Sequence, residues 1–82
     1  MRLDKYLKVS RLIKRRTVAN EACDAGRVSV NGKPARASYD VKVNDVIEIT
    51  FGARTVKVKV QNVNEHATKE GAGELYTVIE QP

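Results

Sequence analysis

Arg2-Leu3-Asp4-Lys5-Tyr6-Leu7-Lys8 at one end and Gly26-Arg27-Val28-Ser29-Val30-Asn31-Gly32 at the other bound the stretch that decides the fold. Leu3 and Leu7 stand four apart, on one face of a short helix predicted over residues 2–8. Asp4 falls in its first turn, where the helix dipole favours an anion, and at ion-pair spacing from Lys8. Arg2, Lys5, Lys8, Arg11 and Lys14 recur at every third position. On a helix of about 3.6 residues per turn such a series drifts slowly around the surface instead of scattering over it. Residues 9–15 read either as a loop with a turn of helix or as a continuation of the first helix. Thr17 reads as the N-cap of a second helix ending near Ala25. Val18, Ala19, Ala22 and Cys23 are expected on its apolar side, with Asn20, Glu21 and Asp24 on the other. Gly26 sits where a left-handed residue ends a helix.

After Gly26 the period changes from helical to two. Val28 and Val30 alternate with Ser29, and Asn31-Gly32 is the strongest short-range signal of a tight hairpin turn. Lys33 to Ala37 returns from it, with Pro34 limiting it to an edge or irregular strand. Asn44-Asp45 marks a further turn, Val46 to Phe51 a strand, and Gly52-Ala53 a turn. Thr55 to Val63 alternates Val56, Val58 and Val60 against Lys57, Lys59 and Gln61. Residues 64–74 read as a polar loop and Leu75 to Ile79 as a last strand. The order is α+β: two N-terminal helices packed on a small sheet of four or five short strands.

The 82 residues suit a single domain, 1–82, with one modest core. Its net charge of +5 is segregated: residues 1–42 hold 11 Lys/Arg against 4 Asp/Glu, and residues 43–82 hold 4 against 6. That asymmetry points to a polyanionic partner facing the first half. No apolar run approaches the length of a membrane span, and the basic N-terminus lacks the Trp or Phe anchors of a membrane-surface helix. No membrane partner is expected. Cys23, the single cysteine, excludes an internal disulfide, fits a reducing cytoplasmic setting, and reads as a small buried side chain.

Catalysis has little to stand on. His66, the single histidine, lies in the polar loop without a metal-ligand set, and Ser10, Ser29 and Ser38 have no plausible base nearby. Gly71-Ala72-Gly73 lacks the Lys and Ser/Thr of a phosphate loop. No enzyme activity, cofactor or metal is expected. Tyr6, Tyr39, Phe51 and Tyr76 are scattered and assigned mostly to the core, which disfavours base stacking. A small basic module of this kind suits structured RNA, read by shape and phosphates.

Arg2-Leu3-Asp4-Lys5-Tyr6-Leu7, then Arg16-Thr17, Gly26 to Lys33, and Val43-Asn44-Asp45-Val46-Ile47 together resemble the S-four RNA-binding domain over residues 1–51. Residues 52–82 then add strands that complete the sheet. Within that family the Arg11 to Thr17 segment is similar to that of stand-alone members related to the fifteen-kilodalton heat-shock protein, and the short form to the ribosome-associated quality-control factors. The resemblance implies RNA binding through the two helices and the loop after them. It implies attachment to a large ribosomal subunit that still carries peptidyl-tRNA. Its implied partners are rRNA, tRNA and a tRNA-recruiting quality-control protein, with untemplated C-terminal tailing of the stalled chain as the outcome and a monomer as the working form. The functional positions implied are Arg2, Asp4 and Arg16, with Lys5, Lys8, Arg11, Lys14, Arg15 and Arg27 as backbone contacts. Two departures stand out. Asn44 replaces the Gly usual before Asp45, and the long basic C-terminal extension of the heat-shock relative is missing. Alternative functions are a permanent ribosomal protein and an rRNA-binding accessory to an RNA-modifying enzyme.

Overall fold

The computed structural model describes residues 1–63 and 75–80. The polar loop over 64–74, with His66 and the Gly71-Ala72-Gly73 turn, lies outside the described residues. Two helices, α1 (Leu3–Val9) and α2 (Arg16–Asp24), precede five strands: β1 (Val28–Val30), β2 (Lys33–Pro34), β3 (Val46–Phe51), β4 (Arg54–Val60) and β5 (Tyr76–Glu80). The strands form one antiparallel sheet in the order β2-β1-β3-β4-β5.

Each helix is followed by a left-handed residue. At the end of α2, Gly26 takes a left-handed φ of 78°, its N–H donating to Cys23 and the Arg27 N–H to Ala22. This is the paired closure expected of a C-terminal glycine. Past α1 the left-handed residue is Arg11, at φ 63°, with the Arg11 N–H on Lys8 and the Ile13 N–H on Leu7. Residues 10–15 are therefore a connection and not a prolongation of α1. The hairpin turn has Asn31 at φ 53° and Gly32 at φ 84°, the double left-handed geometry that matches the twist of flanking strands.

Three sequence expectations on α2 and β2 give way. α2 opens at Arg16 with Arg15 as a cap that makes no side-chain bond, so Thr17 is a first-turn residue and not the cap. Val18 is 47% exposed, whereas Asn20 is partly buried and bonded to α1. The helix presents Ala19 and Cys23 to the core, rotating the expected apolar side by about one residue. β2 is only two residues long, with Pro34 at the sheet edge and the Ala35 N–H still donating to the Val28 carbonyl. β4 runs from Arg54 and ends at Val60, before the predicted limit.

The core lies between the helices and one face of the sheet. Leu3, Tyr6 and Leu7 from α1 and Ala19 and Cys23 from α2 meet Val28, Ile47, Ile49, Val58 and Val60 of the strands. Tyr6 is fully buried and its hydroxyl donates to the Leu75 carbonyl at 2.6 Å, tying α1 to the start of β5. Phe51, expected inside, is 43% exposed at the β3–β4 turn. Asp45 is buried and accepts from Asn31 Nδ2 (3.1 Å), the Tyr39 hydroxyl (2.9 Å) and the Lys42 N–H (2.9 Å). Asn31 also accepts from the Val46 N–H at 3.0 Å, so hairpin, loop and β3 are knotted at one carboxylate. Asn44 stands at φ 77°, the left-handed turn that Asn tolerates almost as Gly does.

Candidate nucleic-acid interface

The N-terminal segment is stitched to residues 37–41. The Leu3 N–H donates to the Tyr39 carbonyl (2.8 Å), the Asp4 N–H to Ala37 (3.2 Å) and the Val41 N–H to Met1 (2.8 Å). That pairing seats the first turn of α1 against the start of α2 and buries the Asp4 side chain between them.

Asp4 is the organising group. Only 2% of it is exposed. Arg2 donates Nε to its Oδ1 at 3.2 Å and Nη2 to its Oδ2 at 3.3 Å, a two-pronged grip. Asn20 Nδ2 donates to Oδ2 at 3.2 Å, the Lys5 N–H to Oδ1 at 2.8 Å, and Arg16 Nε lies 3.5 Å from Oδ2. Among the described residues these, and not Lys8, are its partners. Burial alone would raise the Asp4 pKa and is the largest single influence. The bonds from Asn20, Arg2 and the Lys5 N–H, with the Arg16 charge, together outweigh it and hold the carboxyl below its ordinary range.

The two arginines are held at one end and open at the other. The Arg2 side chain is 51% exposed and that of Arg16 49%, while Asp4 engages only part of each guanidinium's donor set. The buried carboxylate fixes the direction in which the two half-exposed guanidiniums point. The rest of the expected basic set lies around them. Lys5 is half-buried on α1 and Lys8 exposed in its last turn. Arg11 and Lys14 are exposed on the connection, followed by Arg15 at the cap of α2 and Arg16 as its first residue. Lys8, Arg11, Lys14, Arg15 and Arg16 thus follow one another along the chain from the end of α1 into α2. Arg27 stands apart, beyond the far end of α2 and on the order of 13 Å along its axis from Arg16.

Asn20 is the residue that the sequence pattern misassigned to the outer face. The signal lay in its spacing, since Arg16 and Asn20 are four apart and share a helix face. Cys23 lies beneath the cluster. Burial first, then the charges of Asp4 and Asp24, push its thiol up to about 11, which suits an inert packing residue. No group of His, Cys, Asp or Glu among the described residues could hold a metal ion, and no helix among them is long and apolar enough to cross a membrane.

Comparison with known proteins bears on the family and the fold. The family model of the S4 domain matches residues 1–47. A Streptococcus pneumoniae protein named RQC P-site tRNA stabilizing factor is 56% identical over 79 residues, covering 96% of this chain and 90% of that protein. A Bacillus subtilis protein of the same name is 51% identical over 81 residues, covering 99% and 94%. Among solved structures, the trimeric Heat Shock Protein 15 of Vibrio cholerae superposes with a TM-score of 0.88 at 26% identity, covering 96% of this chain and 81% of that one. With its motif, its two-helix-on-sheet fold and these relatives, the chain belongs to the S4 domain family, in the group of the RQC P-site tRNA stabilizing factors.

Proposed function

We propose that this chain is a ribosome-associated quality-control factor. It binds large ribosomal subunits stalled with peptidyl-tRNA, steadies the tRNA in the P site, and supports untemplated C-terminal tailing of the nascent chain. The observation that carries this reading is the pair of half-exposed guanidiniums, Arg2 and Arg16, aimed by one buried carboxylate. The relatives' name supplies the ribosomal setting and the tRNA. Phosphate is the ligand such a pair suits, because a planar guanidinium grips it through parallel hydrogen bonds.

In this reading the single domain has no reaction of its own. It works by binding one arrangement of rRNA and tRNA more tightly than others, which is the only way a non-catalytic module shifts an equilibrium. Arg2 and Arg16 touch RNA, with Asp4 behind them as the positioning group. Lys5, Lys8, Arg11, Lys14, Arg15 and the more distant Arg27 add backbone contacts. A tRNA-recruiting protein delivers the added residues, and one copy acts per subunit in the cytoplasm.

Deletion of the gene tests the proposal. Tails on stalled chains should disappear while ordinary translation continues, and the protein should sediment with stalled large subunits. Persistent tailing, or equal occupancy of all translating ribosomes, would favour a permanent ribosomal protein instead.

A further inference from the structure

Arg2 and Arg16 meet the Asp4 carboxylate differently. Arg2 makes two hydrogen bonds to it, at 3.2 and 3.3 Å. Arg16 Nε stands 3.5 Å from Oδ2, within ion-pair range but longer than a good N–H···O hydrogen bond. The acceptor capacity of Asp4 accounts for the difference. An ionised carboxylate offers about four lone-pair sites over its two oxygens. Oδ1 accepts from Arg2 Nε and the Lys5 N–H, and Oδ2 from Arg2 Nη2 and, at 3.2 Å, from Asn20 Nδ2. Those donors fill the sites without Arg16.

Asn20 is the uncharged side chain in this set, and it belongs to the same helix as Arg16. The two stand four apart on one face of α2, Asn20 half-buried and Arg16 exposed. With Asp4, Thr17 and Glu21 they line one open pocket of about 350 Å³. Burial pulls the Asp4 pKa up most strongly, the Asn20 bond leads the influences that lower it, and Arg16 contributes through charge. Asn20 therefore holds the place on Oδ2 into which Arg16 would otherwise close.

We infer that Asn20 is a positioning residue: by filling Oδ2 it keeps the Arg16 guanidinium from closing onto Asp4 and leaves its donors to RNA phosphate. Without the amide, an acceptor site on a buried carboxylate stands empty, which is a costly state. Arg16 Nε, already at 3.5 Å, is placed to fill it, and the guanidinium turns inward. The inference rests on the proposed RNA-binding function and adds to it a residue that acts without touching RNA.

Asn20→Leu tests this in the full chain, since Leu is close to Asn in size, has no donor and favours a helix. In NMR spectra without RNA, the Arg16 Nε–H proton should move downfield and exchange more slowly with water, as a newly bonded donor does. Affinity for rRNA extracted from large subunits should fall roughly fivefold, the scale for residues coupled through a shared group. In an Arg16→Ala background the same change should cost nothing further. An unchanged Arg16 Nε–H signal, an unchanged affinity, or losses that multiply in the double variant would overturn the inference. If Asn20→Leu does not fold, Asn20→Ala takes both readouts, and loss of the fold in both refutes the positioning role. If Arg16→Ala itself binds as wild type does, the RNA-binding reading fails, while the NMR signal still decides what Asn20 does to Arg16.

Discussion

Arg16 Nε lies 3.5 Å from Asp4 Oδ2, so the first residue of α2 is steered by a carboxylate buried in the first turn of α1. The contact joins two helices through one acid that Arg2 and Asn20 also share. Because Asp4 is buried and the arginines are half-exposed, the acid is held within the fold while the outer edges of the guanidiniums stay open to solvent.

Arg16→Ala should therefore leave the thermal melt nearly unchanged, since Arg2, Asn20 and the Lys5 N–H still satisfy the buried Asp4 carboxylate. Binding to tRNA or rRNA should weaken by about 1–3 kcal/mol, the scale of a charged hydrogen bond. Arg16→Lys should recover part of that loss, because the charge remains and the two-pronged geometry does not. A collapsed melt would make Arg16 structural.

Asp4→Asn should destabilise the fold at neutral pH by about 1–3 kcal/mol, by weakening several bonds to one buried group. Its pH dependence gives a sharper readout. The folded carboxyl titrates below its ordinary value of 3.8, so the folded state favours the ionised form. The stability it contributes is present above that value and is lost as pH falls through 3.8 and then through the lower folded pKa. Asp40, held low by its bond to the Met1 amino group, acts on the same limb. Denaturant melts of wild type and Asp4→Asn across this range should thus converge as pH falls, and a constant gap would refute the linkage. The burial of Asp4 also rules out Asp4→Arg as a clean functional probe, since it would press a third cation between Arg2 and Arg16.

Asp45→Ala should be costly to the fold without touching the cluster. It would strip the Tyr39 hydroxyl, the Lys42 N–H and the Asn31 amide of their acceptor, a loss of about 2–3 kcal/mol in chemical denaturation. RNA affinity measured well below the melt should stay within about twofold, on the scale where 1.4 kcal/mol would be tenfold.

Arg11→Gly should move stability and binding in opposite directions. A side chain in the left-handed region costs about 1–2 kcal/mol, of which glycine recovers part after its larger unfolded-state entropy, leaving a gain of about 0.5–1 kcal/mol. The exposed cation is lost at the same time. A higher melting temperature with a shallower salt dependence of RNA binding is the expected pair of results. A lower melt would mean that the Arg11 side chain supports the connection.

The features legible in the sequence were local ones. Gly26 and Asn31-Gly32 announce their turns because left-handed backbone demands those residues, and Val28, Val30, Val58 and Val60 alternate because one face is buried. The Arg2, Asp4 and Arg16 motif was readable by resemblance, and its physical logic was not. Asn20 was misassigned because a nine-residue helix can rotate by a residue and keep enough apolar surface inside, as exposed Val18 does here. Thr17 looks like a cap, yet the chain enters α2 at Arg15 in extended geometry and brings Arg16 to Asp4. The Asp45 knot draws on Asn31, Tyr39 and Lys42, and only the folded chain brings these segments together.

The most direct measurement is a site-resolved crosslink map from the protein to rRNA and tRNA on stalled large subunits. Photoreactive groups placed beside Arg2 and Arg16, and on the exposed Arg11 and Lys14, should join P-site tRNA and the rRNA next to it. Equivalent groups at Lys57 and Lys59 on β4 should give little. Crosslinks concentrated on β4, or a map with no tRNA at residues 2 and 16, would contradict the account.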